Sequence, residues 1–294
     1  MRKLILQTSD YDVNSLSEIE KENNPEEVSK LFTSLSYRDK SSSHTLYPRA
    51  SSLYRCCIRQ NVLCHKYNID FNEHITTSLR IIFEIGNSFH HWIQNTPGIL
   101  GYNRRGIWRC QSCGRKTIFG PPPQENCPNC GASHNAFVYH EYEISMITPF
   151  YLKGHPDMFV ERPKGNFRIM EFKSINSKDF NQLKTPIIDH VWQLHAYFLA
   201  CFHDSFNLGV TIDKDIGYIM YISKGYEIRN FPIKTFVVKR DKSIMMEIKN
   251  KLEAFKNGID YDKIPAPLEQ CVASKFQSIV ARSCPVAKTC ERIK

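Results

Sequence analysis

A mixed α/β fold, with a central sheet flanked by helices and a small cysteine-rich insertion, is what three observations predict for this sequence. Helical periodicity comes first, over residues 49–63 and 78–92. Strand-like segments rich in β-branched and aromatic residues follow, and they alternate with two further helical stretches. Residues 106–135 interrupt the pattern with four cysteines and three consecutive prolines, a composition that makes turns rather than core.

The chain has 294 residues, 41% of them apolar and 12% aromatic, so it can close a core without disulfide staples and is not a mainly disordered polymer. No apolar run approaches the roughly 18 to 20 residues a membrane span needs, and Met1-Arg-Lys-Leu-Ile-Leu-Gln is too short for a signal segment. A soluble, cytoplasmic protein with no membrane partner is therefore expected. In a reducing compartment the eleven cysteines read as metal ligands more readily than as disulfides.

Residues 1–47 read as a polar leader in which Pro25-Glu-Glu-Val-Ser could start one short helix. The first firm helix begins near Arg49, capped by Ser51 or Ser52, and the second runs from Ser78 to Trp92. Strands are expected over Ala136 to Met146, Leu152 to Glu161 and Phe167 to Ser174, the last two joined by a turn at Pro163-Lys-Gly-Asn. A helix from Asp189 to Cys201, strands at Tyr218 to Ser223 and Phe231 to Val238, and a charged helix from Ser243 to Asn257 complete the order.

Gly154-His-Pro-Asp157 and Met170-Glu171-Phe172-Lys173 carry the chemistry. Strand alternation puts Glu171 and Lys173 on one face and Phe172 on the other. Asp157 lies fourteen residues before Glu171. It comes beside Glu171 if the connecting loop is odd in length or a bulge sits near Pro156. Two neighbouring carboxylates need a cation, which Mg²⁺ or Mn²⁺ supplies, and Lys173 would then orient or deprotonate a water attacking a phosphodiester.

These residues resemble the PD-(D/E)xK nuclease superfamily, and within it the RecB-like exonucleases, including the CRISPR-associated RecB-type enzymes. The resemblance covers residues 48–294 outside the insertion and implies a restriction-endonuclease-like core. Two further motifs match: Gly86-Asn-Ser-Phe-His90, with His91 as a neighbour, and Gln193-Leu-His-Ala-Tyr197, whose spacing puts both polar residues on one helix face. The resemblance implies that His90, Asp157, Glu171 and the Phe172 carbonyl bind the metal and that Gln193 and Tyr197 position DNA. It further implies a DNA exonuclease acting on ends or single strands, in DNA repair or recombination. The alternatives are a non-catalytic nucleic-acid-binding or recombination accessory protein and a structure-specific endonuclease.

Two cysteine sets stand apart. Cys110-Gln-Ser-Cys113 and Cys127-Pro-Asn-Cys130 are paired knuckles of the kind that close a tetrahedral zinc site, here a ribbon that could also grip DNA or a protein partner. Cys271, Cys284 and Cys290 of the C-terminal segment 265–294, with Cys57 or Cys56, are similar to the 4Fe-4S arrangement of several family members. The family's tail spacing is broken by Ala281, so Cys271 must reach in from a longer loop. Cys64 and Cys201 are left as core residues.

Net charge is +9, with basic residues scattered rather than clustered. Thiolates bound to zinc and to a cluster would lower it to about +5. Charge permits a polyanionic partner without identifying one.

Overall fold

The computed structural model describes residues 47–69, 77–96, 104–146, 148–162, 165–203, 208–225 and 232–293. The leader, with its helix start at Pro25, and two residues of the turn expected at Pro163–Asn166 lie outside them.

Two helices precede the sheet: α1, Ile58–Tyr67, and α2, Thr77–Asn95. The single helix expected from Arg49 is instead a 3₁₀ turn at Ala50–Ser52, a break, and then α1. Leu53 is pinned in the main core. Its carbonyl and that of Tyr54 each accept a hydrogen bond from Lys251 Nζ at 2.8 Å, so the next helical turn does not claim them. Cys57 takes the N-cap of α1 in extended conformation, and neither Ser51 nor Ser52 caps it.

Strands β1, Arg104–Arg105, β2, Ile107–Cys110, β3, Phe137–His140, and β4, Ile144–Met146, come next. They are followed by β5, Leu152–Gly154, β6, Met158–Arg162, and β7, Asn166–Ile175. Helices α3, Ser177–Gln182, and α4, Ile188–Phe202, lead to β8, Ile216–Ser223, and β9, Ile233–Lys239. The long helix α5, Lys242–Asp260, and three short ones, α6, Glu269–Ala273, α7, Ile279–Arg282, and α8, Ala287–Arg292, finish the described chain.

The central sheet has the order β1-β6-β7-β8-β9. Only β7 and β8 pair in parallel, as the helical crossover through α3 and α4 requires; the other pairs are antiparallel. The fold is thus the expected mixed sheet flanked by helices.

Two expected strands are each divided. Residues 136–146 split into β3, which pairs with β2 in the cysteine ribbon, and β4, which pairs with β5. The ribbon's returning strand therefore runs on to His140, past the expected boundary at 135. Residues 152–161 break at His155–Asp157, where Pro156 has no N–H to give a ladder. Pro156 marks the second break in the sequence, whereas the alternating residues of 140–144 leave the first unmarked.

Core packing on the two faces follows strand alternation. Ile169, Ile219 and Tyr221 pack toward α4, while Met170, Phe172, Met220 and Ile222 pack with Ile93 of α2 and with Trp108 and Tyr139 of the ribbon. Every residue of α4 from Trp192 to Cys201 is buried, as expected of a helix held between a sheet and a second helix, here α5. Glu171 and Lys173, on the same face as Ile169, therefore point at α4. None of the helices among the described residues is long and apolar enough to cross a membrane.

Candidate active site

Pairing of β6 with β7 sets the site. Met158 is opposite Met170 and Arg162 opposite Asn166, so three residues, 163–165, join the strands and Gly165 takes a positive φ of 69°. The odd count continues the register to bring Asp157 opposite Glu171. Because β6 stops at Met158, β7 beyond Met170 has no strand on that side. The Phe172 N–H instead donates to Asp157 Oδ2 at 2.6 Å. The Phe172 carbonyl, which in a strand points the same way as its N–H, faces the same gap.

Both carboxylates are buried, Asp157 at 5% exposure and Glu171 at 0%. Lys173 Nζ donates to Glu171 Oε2 at 3.1 Å, and Gln193 Nε2 donates to the same oxygen at 2.8 Å. The Asp157 N–H donates to Glu171 Oε1 at 3.3 Å. On the opposite face of the sheet, His90 of α2 packs edge-on against Phe172 and sets Nδ1 3.2 Å from Asp157 Oδ1. His91 is exposed and turned away.

A residue that the sequence did not single out joins this group. Glu141, in the bend between β3 and β4, places a carboxylate oxygen among ligand atoms of His90 and Asp157 that all lie within 4.8 Å of one another. Gln94 of α2 fixes it, donating from Nε2 to Glu141 Oε1 at 2.8 Å and to the Asp157 carbonyl at 2.9 Å. No motif marks Glu141; it enters only because the ribbon returns the chain to α2.

Gln193 and Tyr197 share a face of α4 as their spacing requires, but both are buried. Gln193 holds Glu171 and lies 3.0 Å from the Tyr197 hydroxyl, which donates to the His155 carbonyl at 2.9 Å. Tyr197 lies so close to Gly154 that a Cβ there would come within 2.8 Å of its ring. These residues thus grip the site's own backbone and carboxylate.

Electrostatics follow from burial. Desolvation and the neighbouring Asp157 push Glu171 up to about 8. Burial opposes ionisation of Asp157, yet His90 and Lys173 outweigh it and hold Asp157 below the ordinary carboxylate range. Burial and Asp157 also raise Glu141. Desolvation pulls Lys173 down, but Glu171 and Asp157 win and keep it an ammonium ion. His90 is likewise raised, its desolvation outweighed by Asp157. His90, Glu141 and Asp157, with the Phe172 carbonyl facing the same gap, form a donor set suited to Mg²⁺ or Mn²⁺, while Glu171 lies outside that trio and meets Asp157 through the Asp157 N–H.

The cysteines fall into two geometries. The sulfurs of Cys110, Cys113, Cys127 and Cys130 lie within 4.8 Å of one another. The 3.8 Å between Cys110 and Cys130 and the 3.7 Å between Cys113 and Cys127 match the edge of about 3.8 Å expected for thiolates around one tetrahedral ion. The Arg115 backbone N–H, then the Asn129 side chain, pull the Cys113 thiol down to about 6. The four could form a zinc-ribbon-like site.

Cys57, Cys271, Cys284 and Cys290 instead line an apolar pocket of about 370 Å³, its mouth included. No three of these sulfurs come within 4.8 Å of one another, a spacing too wide for a single ion. Cys56 turns the other way, with Sγ 3.3 Å from the Leu53 carbonyl and its side chain against the main core. Arg59, only 2% exposed, donates to Cys290 Sγ at 3.0 Å and to the Pro265 carbonyl at 2.7 Å, fastening the tail to α1. Cys64 and Cys201 are buried core residues. Arg104 is also buried, its guanidinium bonded to the Gln94 and Thr96 carbonyls, so it offers no open cationic surface.

A mixed sheet in which one strand stops beside a buried Asp and Glu, with a partly buried Lys two residues on, is the arrangement of a class of nucleases. The model of the PD-(D/E)XK nuclease superfamily matches residues 119–291, and the chain belongs to that superfamily. No curated protein matches the chain. Among solved structures, the alkaline exonuclease LHK-Exo from Laribacter hongkongensis is similar at 10% identity, over 74% of this chain and 90% of that one, with a TM-score of 0.41. SSO0001 is similar at 15% identity, over 83% and 86% of the two chains, with a TM-score of 0.38. No residue role is taken from either.

Glu171 gives a signed pH dependence. An unfolded chain ionises it near 4.5, whereas the native state holds the proton to about 8, so between those values the native state binds more protons and loses stability as pH rises. Without added divalent cation, Glu171→Gln should match the wild type near pH 4 and exceed it by on the order of a few kcal/mol at pH 8. Urea denaturation at the two pH values measures this. A difference that stays constant would contradict the assignment.

Proposed function

We propose that the protein is a Mg²⁺- or Mn²⁺-dependent deoxyribonuclease that hydrolyses phosphodiester bonds, working as an exonuclease on DNA ends or single strands. The observation that carries this reading is Asp157 brought opposite Glu171 at the frayed end of β6, with Lys173 two residues on. His90, Glu141, Asp157, Glu171 and the Phe172 carbonyl would hold the cation. When bound, it supplies Lewis-acid stabilisation of charge on a phosphate oxygen.

The chain's own residues do the rest. Lys173, kept charged by its two carboxylate neighbours, is a donor: it orients the attacking water and meets the charge that grows on the phosphate. Gln193 fixes Glu171, Tyr197 fixes the backbone at His155, and both act on DNA through the groups they hold. The motifs at His90 and Gln193–Tyr197, similar to those of RecB-like enzymes, support the exonuclease assignment.

The pocket lined by Cys57, Cys271, Cys284 and Cys290 is read as a 4Fe-4S site that ties α1 to the tail, and the ribbon as a Zn²⁺ site. Both need the reducing interior of a cell.

Cleavage of end-labelled single-stranded DNA with Mn²⁺ should fall at least about a hundredfold in Lys173→Ala and stop with EDTA, while DNA binding persists. Blocked-end and circular substrates should resist; cleavage of circles at the linear rate would replace exonuclease with endonuclease action, and full activity of K173A would remove the assignment. In anaerobically purified protein, Cys57→Ser should lose the brown colour and about four iron atoms per chain, whereas Cys56→Ser keeps them. Equal iron in both variants would contradict the ligand choice.

A further inference from the structure

Gln193 and Tyr197 are too deeply buried to meet a substrate, yet the face of α4 that carries them continues outward. One turn nearer the helix start, at the spacing that completes that face, stands His190, which is only partly buried. Its neighbour across the sheet is Tyr221 of β8, the register partner of Lys173 on β7. His190 therefore sits at the same end of the sheet as the lysine.

Tyr221 determines what His190 can offer. The Tyr221 hydroxyl accepts the Ile187 N–H at 2.9 Å and lies 2.8 Å from His190 Nδ1. With one lone pair used by that amide, the phenolic proton has Nδ1 as its acceptor in reach. Nδ1 accepts, so the ring proton is on Nε2, across the ring from Tyr221. Burial, then the nearby Lys173 and Arg55, push the imidazole down to about 3, so it remains neutral at working pH with this tautomer. Around it are the Lys173 ammonium, the first turn of a fifteen-residue helix, and Arg55, which pairs with Asp189 at 2.6 Å. The Lys173 ammonium and the helix start favour a phosphate there, with Glu171 and Asp189 partly offsetting the two cations.

We infer that His190 is a further DNA-positioning residue, whose Nε2–H donates to a non-bridging oxygen of the backbone phosphate adjoining the scissile one, with Tyr221 fixing the tautomer. The inference rests on the nuclease reading above and adds a substrate contact to it.

The test is steady-state cleavage by the intact protein with Mn²⁺, using oligonucleotides that carry one neutral methylphosphonate at each linkage in turn. His190→Asn keeps an acceptor for Tyr221 but lacks the Nε2 donor, and should raise KM about tenfold with kcat nearly unchanged. His190→Gln, whose amide nitrogen reaches the Nε2 position, should recover most of the loss. At one linkage the methylphosphonate should penalise the wild type and add nothing in H190N, the non-additivity expected of two groups in contact. Unchanged KM in H190N, or equal methylphosphonate penalties at every linkage, would overturn the inference. So would a fall in thermal midpoint in H190N without rescue by H190Q, which makes the ring purely structural. Failure of the wild type to cleave DNA at all is a different result: it removes the nuclease reading, and this contact with it.

Discussion

Two carboxylates buried opposite each other, with one lysine to balance them, are the constraint from which the rest of this site follows. Left alone, Asp157 and Glu171 repel and lose hydration, and neither loss is offset by ordinary packing. The protein answers by letting Glu171 keep its proton to about 8, by aiming Lys173 and Gln193 at Glu171, and by giving Asp157 the Phe172 N–H and His90. These four partners come from three elements, α2, β7 and α4. Sheet and helices are therefore fixed relative to one another by the same interactions that prepare a cation site. A divalent ion bound there would remove the repulsion and stabilise the folded chain.

Much of this was legible because it depends on short-range rules. Alternation along Met170–Lys173 separated Glu171 and Lys173 from Phe172, and the strand faces agree. Loop parity decided whether Asp157 could face Glu171, and the three-residue connection settled it. Helix spacing put Gln193 and Tyr197 on one face. What sequence could not give was depth and destination. The resemblance implied that Gln193 and Tyr197 position DNA, yet the all-round apolar character of α4 buries them against the site. Glu141 belongs to no motif and reaches His90 only through the bend that closes the ribbon. The helix expected from Arg49 broke because Lys251, two hundred residues away, takes its carbonyls. Such long-range claims on the backbone leave no local trace.

The thiol sets bracket the nuclease core in different ways. The ribbon is local: both knuckles lie between β2 and β3, whose ladder joins Cys110 to Phe137. Four thiols at single-ion spacing need nothing distant. The second set is long-range by construction, since Cys57 caps α1 while its companions lie in the tail. Arg59, buried, donates to Cys290, Pro265 and Ile293 and so fastens the tail to α1. Loop-closure entropy makes such a clasp a large contribution to the integrity of the C-terminal segment.

The central claim is that Asp157 and Glu171 are paired to hold one shared cation site. Mn²⁺ titration followed by electron paramagnetic resonance tests it most directly, because bound ions leave the free-ion spectrum. The wild type should remove about one Mn²⁺ per chain at low concentration, and Asp157→Asn, folded and with its thiol sites intact, should leave the ion free. Equal Mn²⁺ uptake by the two proteins would contradict the account.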